Sequence, residues 1–96
     1  MMNLQNLLDK KDEILRLASK YGARKVRVFG SVARGEADHT SDLDLLVEPG
    51  PGFTLFKQAS LTRELESLLG VSVDVVSDRG LRDRIRDRVL AEAVPL

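Results

Sequence analysis

The sequence predicts an α/β (α+β) fold: a small mixed sheet of about three to four strands covered by helices, in a single domain spanning residues 1–96. Three observations lead there. Apolar residues recur at helical spacing in long stretches near the start, the middle and the end of the chain. Short runs rich in Val and Leu lie between those stretches, each closed by Gly, Pro or Ser-Asp. Ninety-six residues leave room for one hydrophobic core.

The elements follow in order. Residues 3–20 are expected to form one helix, with Leu4, Leu7, Leu8, Ile14, Leu15 and Ala18 on one side and Asp, Lys and Arg on the other. Gly22 is its natural stop. Residues 25–29, KVRVF, alternate as a short strand, and Gly30-Ser31 breaks it. Residues 31–34 fit one helical turn opened by Ser31 and closed by Gly35. EADHTS is a polar loop, LDLLVE a second strand, and Pro49-Gly50-Pro51-Gly52 a hard stop. Residues 53–69 are a long helix with Leu61, Leu65, Leu68 and Leu69 together and Gly70 as cap. Residues 71–76, VSVDVV, form a β-branched third strand. Residues 81–91 form a last helix with Leu81, Ile85 and Val89 inward, and Pro95 ends the chain. There is no internal repeat and no low-complexity segment.

Composition excludes several chemistries. There is no cysteine, so disulfides, thiolate zinc sites and a cysteine nucleophile are ruled out. His39 is the only histidine, so a two-His metal site or a Ser-His triad within the chain is not expected. It lies in the polar loop and is expected to be solvated. No apolar run approaches the roughly 18 residues of a membrane helix, and the N-terminus lacks a signal peptide's apolar region. A cytoplasmic protein without membrane contact is expected. The formal net charge is zero. Two basic groups stand out: Arg82, Arg84, Arg86 and Arg88, interspersed with Asp83 and Asp87, and the set Arg24, Lys25, Arg27 and Arg34. The first suits a salt-bridged exposed face, with pairs such as Asp83–Arg86, or a docking surface. Neither has interleaved aromatics, and direct nucleic-acid binding is not expected.

The chemistry concentrates in residues 30–47, GSVARGEADHTSDLDLLV. Asp42 and Asp44 are separated by one residue on a strand, so both carboxylates point to one side while Leu43, Leu45 and Val47 point into the core. Paired carboxylates can share hard divalent cations such as Mg²⁺, and two such ions can clamp both oxygens of a phosphoryl transfer. The competing reading is a solvated pair at a loop end. Gly30-Ser31 follows a strand and opens a helical turn, where backbone N–H groups and a hydroxyl favour phosphate; by itself it is also an ordinary turn. No Gly-Lys-Ser/Thr follows, so this is not a Walker A loop. Asp74 sits in an apolar strand, where an acid is costly unless paired, liganded or exposed. Beside the Asp42–Asp44 strand it could bind a metal or accept a proton; at a sheet edge it would face solvent. Arg34 could touch phosphate or a partner, or simply end a helix.

Together, Gly30-Ser31, Ala33-Arg34-Gly35 and Ser41-Asp42-Leu43-Asp44-Leu45-Leu46-Val47 resemble the signature of the polymerase-β-type nucleotidyltransferase superfamily. The short length and the GSxARG and SDLDLLV forms are most similar to its minimal nucleotidyltransferase branch. The resemblance implies the polymerase-β-like fold, with Gly30 and Ser31 on the triphosphate; Arg34, read from its place after the turn, is a further candidate nucleotide contact. It implies two Mg²⁺ ions on Asp42 and Asp44, and Asp74 as third carboxylate, metal ligand or base. It further implies transfer of a nucleoside monophosphate, AMP where ATP is the substrate, from an NTP to a hydroxyl. The partner it implies is a HEPN-family RNase toxin, held in a hetero-oligomer and neutralised by AMP on a tyrosine.

Three functions therefore compete. One is a catalytic antitoxin that transfers AMP. Another is a binding module that neutralises its partner by contact alone. The third is a catalytic subunit acting on a small molecule or RNA. Nothing in the chain reads as an acceptor pocket, so the other half of the reaction is expected from a partner.

Overall fold

The computed structural model describes residues 2–96. Two helices, α1 (Leu4–Asp9) and α2 (Lys11–Lys20), lead into β1 (Ala23–Phe29) and a five-residue helix α3 (Gly30–Arg34). Strand β2 (Leu43–Pro49), helix α4 (Leu55–Leu69) and strand β3 (Val73–Ser77) follow. A 3₁₀ turn at Asp78–Gly80, helix α5 (Asp83–Glu92) and a short strand β4 (Val94–Pro95) complete the chain. The sheet is mixed and four-stranded, in the order β3-β2-β1-β4. β1 is antiparallel to β2 and β4, whereas β2 and β3 are parallel and need the α4 crossover between them.

One sheet face carries the core. Val26, Val28, Leu43, Leu45, Val47, Val73 and Val75 are buried there with Ile14 and Ala18 of α2, Leu61 and Leu65 of α4, and Val32 of α3. Each such Val, Leu or Ile side chain contributes about 1.5–3 kcal/mol by leaving water. Thr54 caps α4 by accepting from the Lys57 N–H at 3.2 Å. Glu66 accepts the Val73 N–H at 3.0 Å and ties the end of α4 to the start of β3.

Several expectations change, with β1 starting at Ala23 and α4 at Leu55 among them. The first helix is two helices, separated at Lys10. Asn3 and Asn6 close a capping box on α1, while the run Asp9–Glu13 is wholly charged and offers no apolar anchor for a straight continuation. Leu8 is accordingly 42% exposed, although Leu7 and Ile14 are fully buried. β3 starts at Val73 and not at residue 71. The last helix starts at Asp83, and Ile85 is 45% exposed where it was expected inward. No strand was expected after the last helix, but Val94 and Pro95 pair with Val28 and Arg27 as a fourth strand.

The second sheet face holds Arg27, Phe29, Asp44, Leu46, Asp74 and Val76, matched across the strands by register. Leu46 is fully buried there. The 3₁₀ turn closes over this side: Arg27 pairs with Asp78 at 3.8 Å, and Arg86 donates to the Asp78 carbonyl at 2.7 Å. Helix α5 thereby roofs the same face that carries Asp44 and Asp74.

Candidate active site

Parallel pairing sets Asp44 directly beside Asp74. Adjacent strands lie about 4.8 Å apart, so the two carboxylates are near neighbours. Asp42 sits one residue ahead of β2, where a strand position was expected, and is exposed. Its approach is fixed on both sides. The Leu43 N–H donates to the Ser72 carbonyl at 2.9 Å. Asp38 Oδ1 accepts from the Thr40 N–H at 2.8 Å and the Thr40 hydroxyl at 2.6 Å, folding the loop just before Asp42. These hydrogen bonds, Thr40's first, hold the Asp38 carboxyl below its usual pKa. Leu43 and Leu45 are buried behind the acids as the alternation predicts.

Asp44 is half-buried, and its carboxyl is pushed above the ordinary pKa range. Burial is the largest cause, followed by the charges of Asp74 and Asp42; Arg34 pulls the other way. The turn beside it leaves no spare room. Gly30 has φ +74°, and a Cβ there would run into the Asp44 carboxylate. Only glycine allows the β1–α3 turn to pass this close. Ser31 is half-buried at the start of α3, and Arg34 ends that helix.

Glu92, at the end of α5, is a residue the sequence reading missed. The Gly30 N–H donates to its Oε2 at 3.1 Å, and Arg34 Nη1 donates to Oε1 at 3.0 Å and Oε2 at 3.3 Å. Burial would raise the Glu92 carboxyl, but the hydrogen bonds from Arg34 and Gly30 outweigh it and hold the carboxyl low. One signal was available: Glu92 is the lone acid in the otherwise apolar run Val89–Leu96. The basic set Arg24, Lys25, Arg27 and Arg34 does not form a free patch. Arg24 and Lys25 pair with Glu48, Arg27 with Asp78, and Arg34 with Glu36 and Glu92. The expected Asp83–Arg86 pair is replaced by the Arg86–Asp78 carbonyl contact. His39 is exposed, as expected.

Two cavities adjoin the acids. One of about 400 Å³ lies beside Asp42, lined by loop residues 37–41 and by Val71 and Ser72. The other, about 300 Å³, touches both Asp44 and Asp74 and is walled by Phe29, Val76, Leu81, Ile85 and Val89. Ile85 thus faces a cavity instead of the core.

Among the described residues, no three His, Cys, Asp or Glu side chains close to metal-holding distance. The site offers instead an open, all-oxygen donor set with uncompensated charge at Asp44. That fits Mg²⁺, which commonly takes one or two carboxylates and completes its shell with phosphate and water.

Comparison with known proteins agrees with this geometry. The family model of the nucleotidyltransferase domain matches residues 11–95. The protein adenylyltransferase MntA of Thermococcus cleftensis is 42% identical over 78 residues, 81% of this chain and 79% of its own. A solved structure described as a minimal nucleotidyltransferase superposes with a TM-score of 0.89 at 55% identity, covering 99% of this chain and 97% of that one. An AMPylated Shewanella oneidensis HEPN toxin in complex with its MNT antitoxin shares the fold, with a TM-score of 0.70 at 19% identity over 92% and 69% of the two chains. A mixed sheet presenting Asp44 beside Asp74 under a Gly-Ser turn, a family match over residues 11–95 and a 55%-identical neighbour lead to one conclusion: this chain belongs to the nucleotidyltransferase domain family, in its minimal branch, and is a nucleotidyltransferase.

Proposed function

We propose that this protein is an antitoxin that transfers AMP from ATP, with Mg²⁺, to a tyrosine hydroxyl of a HEPN-family RNase toxin and so silences it in a hetero-oligomer. The observation that carries the proposal is the juxtaposition of a Gly30–Arg34 phosphate turn with Asp42, Asp44 and Asp74 in one 96-residue unit. The MntA relative's name and the toxin complex of the fold neighbour support the acceptor class.

In this proposal the Gly30 N–H, the Ser31 hydroxyl and Arg34 hold the triphosphate, and Asp42 and Asp44, with Asp74, hold two ions. Bound Mg²⁺ supplies charge neutralisation on the phosphates and the leaving oxygen. Asp74 receives the proton of the acceptor hydroxyl. The acceptor oxygen bonds to the α-phosphorus, and the bond to the bridging oxygen breaks, releasing pyrophosphate. The apolar walls of the 300 Å³ cavity suit an aromatic ring whose hydroxyl reaches Asp44 and Asp74.

The test is incubation with ATP labelled at the α-phosphate, Mg²⁺ and the partner. Label on the partner's tyrosine supports the proposal; no transfer by the folded protein with its true partner refutes it. Protection of cells retained in full by Asp44→Asn would favour neutralisation by contact alone.

A further inference from the structure

Every group assigned to the phosphate already has a partner in this structure except Ser31. We infer that Glu92 is a built-in competitor of the nucleotide: its carboxylate occupies the Gly30 N–H and Arg34 and must swing away before a triphosphate can take those donors. The inference rests on the nucleotide-binding role proposed above for Gly30 and Arg34. Three observations carry it. The Gly30 N–H has a single hydrogen, and Glu92 Oε2 holds it at 3.1 Å. Both Glu92 oxygens share Arg34 Nη1, at 3.0 and 3.3 Å, while Glu36 engages Arg34 Nε at 3.4 Å, so the guanidinium lies between two carboxylates. A carboxylate has the charge sign and the oxygen acceptors of a phosphate, so the two cannot share one donor or sit together without repulsion.

The backbone around Glu92 is fixed. It is the last residue of α5, and Val94, two residues on, pairs with Val28 of β1. The Leu96 N–H donates to the Val26 carbonyl at 3.0 Å, pinning the chain end as well. Release is therefore a rotation of the Glu92 side chain, with no need to peel off β4. Arg34 Nη1 is contested along with the Gly30 N–H, and the Gly30 N–H is the more completely blocked because it has only one hydrogen.

A competitor of this kind lowers apparent affinity by the fraction of time the site is free. If Glu92 covers the donors about nine-tenths of the time, removing it tightens binding about tenfold. The experiment titrates ATP with Mg²⁺ into the full wild-type chain, Glu92→Ala and Glu92→Gln by calorimetry, and follows exchange of the Gly30 amide hydrogen by NMR without nucleotide. Alanine keeps the helix end; glutamine removes the charge and replaces one of the two accepting oxygens with an NH₂ donor, keeping a single acceptor for the Gly30 N–H or Arg34. The expected results are ATP binding about tenfold tighter for Glu92→Ala, a smaller gain for Glu92→Gln, and faster Gly30 amide exchange in Glu92→Ala. Binding that is unchanged or weaker in both variants, beside a wild type that binds ATP, overturns the competition and makes Glu92 a residue that positions Arg34. Absence of ATP binding in all three folded proteins overturns the nucleotide reading itself, and this inference with it.

Discussion

Replacing Asp44 with asparagine should make the metal-free protein more stable while destroying its activity. Asp44 is half-buried, stands in register with Asp74 and lies two residues from Asp42. At a separation of about 6 Å and an effective dielectric of about 20, each like-charge pair costs about 3 kcal/mol. Asp42 and Asp74 are exposed, and water and salt reduce this to about 1 kcal/mol in total. Asparagine has nearly the same shape and removes the charge. For a chain of this size, about 1 kcal/mol raises the melting temperature by roughly 4–8 °C. Thermal unfolding followed by circular dichroism, with a chelator present, reads the gain directly. The gain should shrink in 1 M NaCl, where the Debye length falls to about 3 Å and the repulsion is screened. On the proposed role of these acids, Mg²⁺ should stabilise the wild type more than Asp44→Asn, because an ion bound there would relieve the carboxylate repulsion. AMP transfer should fall by at least about 100-fold. An Asp44→Asn protein that melts at or below the wild-type temperature in chelator, with no difference in response to Mg²⁺, would show that the carboxylates do not repel across β2 and β3.

Other substitutions probe separate parts of the structure. Gly30→Ala places a Cβ at φ +74° and against Asp44; denaturant melts should show a loss of about 1–2 kcal/mol, with activity lost as Asp44 is displaced. Ser31→Ala should weaken ATP binding about tenfold, measured by calorimetry, with stability changed by no more than about 0.5 kcal/mol. Lys25, at φ +51°, sits within the irregularity where the β1–β2 register shifts. Lys25→Gly should therefore stabilise by about 0.5–1 kcal/mol in chemical denaturation and leave AMP transfer unchanged.

Much of the architecture can be read locally. The Val26/Val28 and Leu43/Leu45/Val47 alternations select the buried face because side chains on a strand point to opposite sides in turn. Thr54 and Gly70 bound α4 through their own backbone chemistry. Gly30, Ser31, Asp42 and Asp44 are close in sequence, so their proximity is legible as a motif. The α1–α2 break was less so: the apolar spacing of Leu7 and Ile14 fits one continuous helix as well as two, and the charged run Asp9–Glu13 does not by itself decide between them.

The sequence by itself determined the kind of fold, the core face and the acid pair, because periodicity and turn residues act over a few positions. Tertiary structure alone decided the rest. That Asp74 stands beside Asp44 depends on the parallel register of β3 on β2, across a 15-residue helix. That Glu92 reaches Gly30, 62 residues away in sequence, depends on α5 folding back across the sheet and β4 pairing with β1. Neither contact is encoded by a local pattern. Each is fixed by long-range burial that sets one strand or helix against another.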